Sequence, residues 1–237
     1  MKSLLSVLAC AVLAVMGATL AVRAGDAPAP PSKQGPIHVT SFFEVNPGGV
    51  NQAVGVLKAY RDAARREPGA TSVQVFQEVG APFRLVSLSV WRDYAAYEAH
   101  MKAAATTTLN QTMKAVEYGP ADTRPHAVHF GTPDGKAAGA GSVTIISHLD
   151  VPPMGIPALL DLMKPFSEAV SKQPGMVTYQ ILRQTAGSGN HFRSYEVWAS
   201  EKEWEAHNLA KYSQDYRTGM APLLGTPYDQ RKYTVVN

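Results

Sequence analysis

The side chains best suited to proton chemistry in this sequence are two histidines that recur in the same local setting. His100 and His207 each end a segment that begins with tryptophan and follows the frame Trp-x6-Glu-Ala-His. Histidine changes its charge near neutral pH, so it can accept or donate a proton where most side chains cannot. The repetition favours either acid–base chemistry or a hydrogen bond across the seam between a helix and a sheet, and both interpretations stay open.

Other catalytic patterns are weak in the sequence. His126 and His129 stand three residues apart, which puts their side chains on opposite faces of a strand and makes them poor partners for one metal ion. Phosphate-binding loops, nucleotide fingerprints, serine nucleophile elbows and zinc-binding helix motifs do not occur in the sequence. We therefore expect no metal site and no cofactor.

The N-terminal residues are typical of an export signal. Lys2 is followed by a mainly apolar run to Val22, and small residues precede a cleavage position after Ala24. We expect a signal peptide over residues 1–24, which directs the mature protein to the periplasm or the cell exterior. Because the run is long enough to cross a bilayer, an uncleaved membrane anchor is the less favoured alternative.

Removal of that segment leaves a nearly neutral chain without cysteine. The full sequence has 22 lysines and arginines against 19 aspartates and glutamates, and Lys2 and Arg23 leave with the signal, so the mature charge is 20 minus 19, or +1. Such a balance gives no case for nucleic-acid binding. Since Cys10 is also removed, the mature protein can form neither a disulfide nor a thiolate nucleophile.

The remainder of the chain is a duplication. At an offset of 106 residues, 37–47 aligns with 143–153, and one extra residue near Gly187 raises the offset to 107 for the two tryptophan-to-histidine segments. The repeat predicts two domains joined by a glycine-rich linker and preceded by a proline- and alanine-rich tether. Their bounds are 25–36 for the flexible tether, 37–130 for domain 1, 131–142 for the linker and 143–237 for domain 2.

Each copy shows the pattern of a β-α-β-β-α-β unit. Residues 37–45 alternate between apolar and more polar types, as in a strand, and residues 50–64 carry apolar side chains at helical spacing. Pro-Gly pairs end the first helix of each copy, because proline cannot continue the ladder of hydrogen bonds and glycine accepts a positive φ. We expect the second helices over about 94–112 and 201–217.

This order predicts an α+β fold in which a four-stranded antiparallel sheet carries both helices on one face. The other face would be left bare and apolar, and two such sheets packed against each other would cover it. We therefore expect tandem ferredoxin-like units that pack sheet-to-sheet as an intramolecular pseudo-dimeric α+β barrel. The alternative is two independent domains that are connected only by the linker. The sequence does not determine whether the chain oligomerises further.

The unit order, the Pro-Gly pair and the frame from Trp91 to His100 and from Trp198 to His207 together resemble the antibiotic biosynthesis monooxygenase superfamily of dimeric α+β barrels. The resemblance covers each copy once, so the usual pair of subunits is fused here. Members of that family often oxygenate activated aromatics, such as quinols or anthrones, without metal or flavin. The resemblance thus implies a small aromatic molecule and O2 as partners.

The same resemblance implies which residues would act. A deprotonated, electron-rich phenol can reduce dioxygen directly, so the protein must bind the ring in a dry pocket, remove a proton and stabilise the anion. His100 and His207 are the implied catalytic acid–base groups. Substrate-binding residues would come from a larger set of aromatic and polar side chains: Trp91, Trp198, Tyr97, Trp204, His148, Arg193 and Tyr212.

Two differences refine this expectation. His148 stands where the first copy has Phe42, which predicts an open pocket in the second copy and a filled pocket in the first. Relatives that degrade haem use an asparagine on the first strand, where this chain has Ser41 and Ser147, so haem degradation is disfavoured.

Two hypotheses for the function remain. The first is an exported, cofactor-independent monooxygenase that acts on a quinol-type substrate. The second is an exported, non-catalytic module that binds a small ligand or serves in a stress response on the same scaffold. A pocket around the two histidines would favour the first hypothesis.

Overall fold

The structure is a computed structural model that describes residues 28–132 and 135–237. The expected signal peptide over residues 1–24 lies outside the described residues. Within the described part of the chain, no helix combines the length and the apolar character that a membrane span requires.

Both copies follow the predicted order of elements, with the second helix of each divided in two. The first copy comprises β1 (Ile37–Glu44), α1 (Val50–Ala64), β2 (Ala70–Glu78), β3 (Ala81–Trp91), α2 (Tyr94–Met101), α3 (Ala104–Met113) and β4 (Asp122–Gly131). The second copy comprises β5 (Val143–Asp150), α4 (Ile156–Val170), β6 (Met176–Gln184), β7 (His191–Trp198), α5 (Glu201–Leu209), α6 (Lys211–Met220) and β8 (Asp229–Val235).

The break in the second helix departs from the continuous helices expected from the sequence. Between α2 and α3, Ala103 is extended at ψ 157°, and Ala210 between α5 and α6 is extended at ψ 144°. The carbonyl of His100 accepts hydrogen bonds from the Ala103 N–H and, at 2.8 Å, from the Thr106 hydroxyl. Local hydrogen bonds therefore satisfy the backbone groups at this turn. The turn could not be predicted from the sequence, because it contains neither proline nor glycine.

The eight strands form one closed antiparallel barrel in the order β1-β3-β2-β8-β5-β7-β6-β4. Each copy supplies four adjacent strands, and two seams join the copies, β2 with β8 and β4 with β6. The expected intramolecular α+β barrel is confirmed. Because the strands at both seams pair through their backbones, the barrel leaves no sheet edge open.

Side-chain alternation gives the molecule three apolar cores. On the outer face of the barrel, one core lies under the helices of each copy, and the third core lies in the interior. Interior side chains come from both copies, and the buried ones include Phe76, Val86, Leu182, Tyr195 and Tyr233. The two sheets thus bury their inner faces against each other, as the apolar pattern predicted.

The linker contacts both copies where the structure describes it. Gln74 donates a hydrogen bond to the carbonyl of Ala138, and Thr178 donates to the carbonyl of Lys136. Gly131, at φ +97°, begins the linker where a side chain would collide with the Tyr179 carbonyl, since a Cβ would lie 2.1 Å from that oxygen. Glycine is required there both by its φ and by the close approach of the neighbouring strand.

Candidate active site

A cavity of about 340 Å³ lies in the first copy, between the sheet and the pair α2 and α3. Its walls are mainly apolar, with a small group of polar side chains at one place. The lining residues that matter below are Tyr60, Tyr97, His100, Thr106, Leu109 and Ala121. A mostly apolar cavity with few convergent polar groups is the common form of a small-molecule site.

His100 is the centre of the polar group in this cavity. Asp93 caps the start of α2 by accepting a hydrogen bond from the Ala96 N–H, which sets His100 two turns along the helix with its side chain toward the sheet. Its Nδ1 lies 2.8 Å from Oε2 of Glu67, and its Nε2 lies 2.9 Å from the hydroxyl of Tyr60. His100 is 5% exposed, so these contacts are shielded from water.

The three groups form a chain with a defined direction. The Glu67 carboxylate can only accept, so Nδ1 carries the hydrogen in the neutral ring and Nε2 presents a lone pair. Tyr60 then donates its hydroxyl hydrogen to Nε2. Burial raises the pKa of Tyr60 above its usual range, so this phenol keeps its proton near neutral pH.

Two aromatic residues from the expected set lie beside His100. Trp91 is fully buried and stacks on the imidazole, with ring centroids 4.2 Å apart and planes 23° apart. Trp91 also donates its indole N–H to the Ser89 hydroxyl. Tyr97 lines the cavity, and burial raises the pKa of its phenol. The first copy thus brings Trp91, Tyr97 and His100 together.

In the second copy, larger side chains occupy the corresponding space. By the offset of 107, Tyr216 takes the position of Leu109 and Tyr228 takes that of Ala121. Tyr216 stacks on Phe166 at 3.9 Å, and Tyr228 donates to the Ser147 hydroxyl at 3.0 Å. The space beside His207 is therefore filled, because the tyrosines occupy there what leucine and alanine leave open beside His100. The expected asymmetry between Phe42 and His148 concerns the inner face of the sheet, where both residues line a cavity of about 210 Å³.

His207 consequently has different partners from His100. Its Nδ1 lies 2.6 Å from the Tyr212 hydroxyl, and its ring is tilted over Trp198 at 4.8 Å. Burial, with Arg217 nearby, lowers the pKa of His207 to about 4. Gln173 stands at the position of Glu67, so the second copy lacks the carboxylate that pairs with the first histidine.

The other expected residues lie apart from both histidines. Trp204 is half-buried and its ring lies 5.5 Å from the Lys232 ammonium. His148 and Arg193 project from β5 and β7 into the barrel interior, which is the face opposite to α5 and α6. The residues that the sequence grouped into one site thus lie in four places: beside His100, beside His207, at Trp204 and in the barrel interior.

Sequence reasoning missed Tyr60, Glu67 and Thr106, which contact His100. A signal was present in the comparison of the copies, because Tyr60 aligns with Phe166 and Glu67 with Gln173. Both copies carry the histidine, but the first copy alone carries the tyrosine and the glutamate. This difference identifies the first copy as the one in which that tyrosine and that carboxylate can assist proton transfer.

Comparison with known proteins agrees with this architecture. The antibiotic biosynthesis monooxygenase family matches the chain twice, over residues 36–111 and 142–219. A candidate monooxygenase of Fusobacterium nucleatum superposes with a TM-score of 0.74 at 16% identity, covering 86% of this chain and 93% of that one. An anthrone oxidase-like protein gives a TM-score of 0.70 at 17% identity, with coverage of 86% and 93%.

A candidate monooxygenase of Lactobacillus acidophilus gives a TM-score of 0.66 at 12% identity, covering 86% of this chain and 95% of that one. No curated protein sequence matches the chain. At such low identities these structures establish a common fold, while the two family matches rest on the sequence of each copy.

Proposed function

The chain belongs to the antibiotic biosynthesis monooxygenase family, and on that premise we propose that it is a cofactor-independent monooxygenase of electron-rich phenols whose reaction takes place in the first copy. The observation that carries the proposal is the chain Glu67–His100–Tyr60 at the wall of a cavity. The second copy serves as the structural partner that closes the barrel.

The cavity suits a small aromatic ring. Its volume of about 340 Å³ falls at the lower end of the range for small-molecule sites, and most of its walls are apolar. Tyr97, Leu109 and Met113 line it and would contact the faces and edges of a bound ring. Exclusion of water by these side chains would strengthen the electrostatic effect of the few polar groups on a phenolate.

The polar chain supplies the proton transfer that such a reaction needs. A substrate phenol that donates to the Tyr60 oxygen would pass its proton, through the Tyr60 hydroxyl, to Nε2 of His100. The imidazolium formed in this way lies against the Glu67 carboxylate, which stabilises it as it forms. General base catalysis of this kind contributes about 10²- to 10⁴-fold in rate.

The atoms and electrons of the oxidation then balance with the substrate and O2 alone, without a cofactor. The phenolate transfers electrons to O2, a carbon–oxygen bond forms, and loss of water leaves one oxygen atom in the product. For a hydroquinone the sum is hydroquinone plus O2 to hydroxyquinone plus water. All four electrons that reduce O2 come from the substrate, so the protein has only to bind, deprotonate and shield it.

The direct test is oxygen uptake with a panel of hydroquinones and anthrones, followed by product analysis. We expect turnover by the unmodified protein, unchanged by EDTA, and a loss of about 10²- to 10⁴-fold in kcat for His100→Ala. His207→Ala is the matched control, because it removes the same side chain from the copy whose cavity is filled, and its kcat should stay near that of the unmodified protein.

Two results would count against the proposal. Equal effects of His100→Ala and His207→Ala would indicate a structural role for both histidines. Binding of the phenols, seen as thermal stabilisation, without oxygen uptake across the panel would support the non-catalytic ligand-binding module instead.

We also propose that the protein is exported. The apolar run before Ala24 supports this proposal. Expression of the full chain followed by cell fractionation and N-terminal sequencing tests it. A mature N-terminus at Gly25 in the periplasm or medium is expected, whereas a full-length chain in the cytoplasm would contradict export and one in the membrane would indicate the anchor.

A further inference from the structure

The barrel interior contains a second group of chemically active side chains, on the opposite face of the sheet from the phenol cavity. His148 and Asp150 are two residues apart on β5, so their side chains share the inner face of the barrel. His191 begins β7 and pairs directly with Asp150 in the strand register. Two adjacent strands therefore bring two imidazoles and a carboxylate to one end of the barrel.

The ligand atoms of these residues are spaced like those around one metal ion. Nε2 of His148 lies 2.9 Å from the ring nitrogens of His191. The Asp150 oxygens lie 3.2 Å from Nε2 of His191 and 3.4 Å from Nε2 of His148. Neighbouring ligands at about 2.1 Å from an ion are separated by about 3.0 Å in octahedral and about 3.4 Å in tetrahedral geometry.

The two imidazoles bring their nitrogens close enough for one cation to contact both rings. The rings are stacked, with centroids 4.1 Å apart and planes only 16° apart. Nε2 of His148 is within hydrogen-bonding distance of both nitrogens of His191, and the tautomers decide which ring donates. A cation bound to one nitrogen of each ring would take the place of the hydrogen that the rings otherwise share.

Two nearby arginines form ion pairs with other carboxylates, so the Asp150 carboxylate contacts the two histidines. Arg124 pairs with Asp122, and Arg231 pairs with Asp229 and Glu78. Within the described residues, the close ion-pair contacts of Asp150 are to His148 and His191.

His148 and His191 supply the two nitrogen ligands of the set. A neutral imidazole is the form that binds a metal ion. Asp150 supplies the negative charge of the set.

We propose that His148, Asp150 and His191 bind one divalent transition-metal ion of the zinc class. Two imidazoles and a carboxylate favour such an ion over magnesium or calcium, which prefer oxygen ligands. Three protein ligands leave at least one coordination position for water or a small ligand. His148 also lines a cavity of about 210 Å³, together with Phe42, Arg193 and Tyr233.

The site belongs to the second copy alone. The positions that match His148, Asp150 and His191 in the first copy hold Phe42, Glu44 and Arg84. Neither a phenyl ring nor a guanidinium can coordinate the ion, so the duplication predicts one ion per chain. The site lies on the inner face of the barrel, whereas the phenol cavity lies on its outer face, and the proposal is independent of the phenol chemistry.

Titration of tag-free, chelator-treated protein with Zn²⁺ in a calorimeter tests the proposal. We expect one ion per chain, and a loss of at least about 10-fold in affinity for His148→Phe and for Asp150→Asn. His148→Phe introduces the residue that the first copy carries at this position. Glu44→Gln is the matched control in the first copy and should bind Zn²⁺ within about twofold of the unmodified protein.

Co²⁺ provides a readout that does not depend on variant folding, because nitrogen ligands to a low-coordinate ion give a visible absorption band in the unmodified protein. Absence of Zn²⁺ binding and of this band in the unmodified protein would overturn the proposal. Equal Zn²⁺ affinity in His148→Phe, with its circular dichroism unchanged, would also overturn it.

Discussion

The two repeated histidines have different hydrogen-bond partners, because single residues around them differ between the copies. His100 has a carboxylate on one nitrogen and a phenol on the other, whereas His207 is hydrogen-bonded to Tyr212. Their own segments are alike, so the distinction comes from positions 33 and 40 residues earlier in the chain, at Glu67 and Tyr60. A positioning carboxylate of this kind fixes the tautomer of the imidazole and stabilises its charged form.

Replacement of Glu67 by glutamine tests that role, because glutamine is what the second copy carries at Gln173. We expect kcat to fall by about 10- to 10³-fold with a small change in KM, since the ring loses its orientation and the stabilisation of its positive charge. The pH profile of kcat should shift as well, which a purely structural loss would not produce. Gln173→Glu is the reciprocal control and should not raise oxygen uptake.

The buried His207 makes stability depend on pH. Its pKa is lowered to about 4 in the folded chain, whereas an unfolded histidine titrates near 6.5. Between these values the unfolded state binds a proton that the folded state does not, so the free energy of unfolding falls as the pH drops from about 6.5 to about 4. Above this window His207 contributes no pH dependence.

Urea unfolding near pH 7 and pH 4.5 measures the effect. We expect the unmodified protein to lose on the order of 2 kcal/mol more than His207→Gln between the two conditions, a figure discounted for partial solvent exposure. Other histidines titrate in both proteins, so the difference isolates His207. Equal losses would show that His207 is not held neutral by its surroundings.

Among the elements, the packing around α3 and α6 decides which of the two repeated histidines lies beside a cavity. Leu109 on α3 and Ala121 before β4 leave open the space that Tyr216 and Tyr228 occupy in the second copy. The helices and strands around this space are otherwise equivalent. The larger side chains of the second copy thus turn the space of the proposed reaction site into packed core, although the fold of the two copies is the same.

Ala121→Tyr applies this difference to the first copy. The new side chain should fill the cavity as Tyr228 does in the second copy, so we expect phenol binding and oxygen uptake to be lost. The free energy of unfolding should change by no more than about 1–3 kcal/mol, because the volume added is that of an existing cavity. Phenol binding is measured by thermal shift, and unaltered binding in Ala121→Tyr would move the substrate away from this cavity.

How far the sequence predicts each element depends on the range of the interactions that fix it. The first helices follow from apolar spacing and the Pro-Gly pair, both of which are local. The breaks at Ala103 and Ala210 were missed, because the hydrogen bonds that stabilise them come from Thr106 and other side chains in otherwise helical sequence. His148, Asp150 and His191 were missed as a group because they meet through the pairing of β5 with β7, two strands that α4 and β6 separate in the sequence.

The whole molecule depends on two seams that join the copies. β2 pairs with β8 and β4 pairs with β6, so each copy completes the hydrogen bonding of the other. Phe76 of the first copy and Tyr195 of the second meet edge to face in the interior at 6.3 Å. The duplication and the apolar strand faces predicted a shared core, but which edges pair follows from the twist of the closed barrel and could not be derived from the periodicity.

Unfolding should therefore be a single cooperative transition. Separation of the copies would expose the interior core and leave four strand edges without partners, so a state with one folded copy has little to stabilise it. We expect the calorimetric enthalpy to equal the van't Hoff enthalpy, and fluorescence and far-UV circular dichroism to give the same midpoint. Two independent domains on a string would instead unfold in separate steps, and a fragment of residues 37–130 would fold as a monomer with a midpoint of its own.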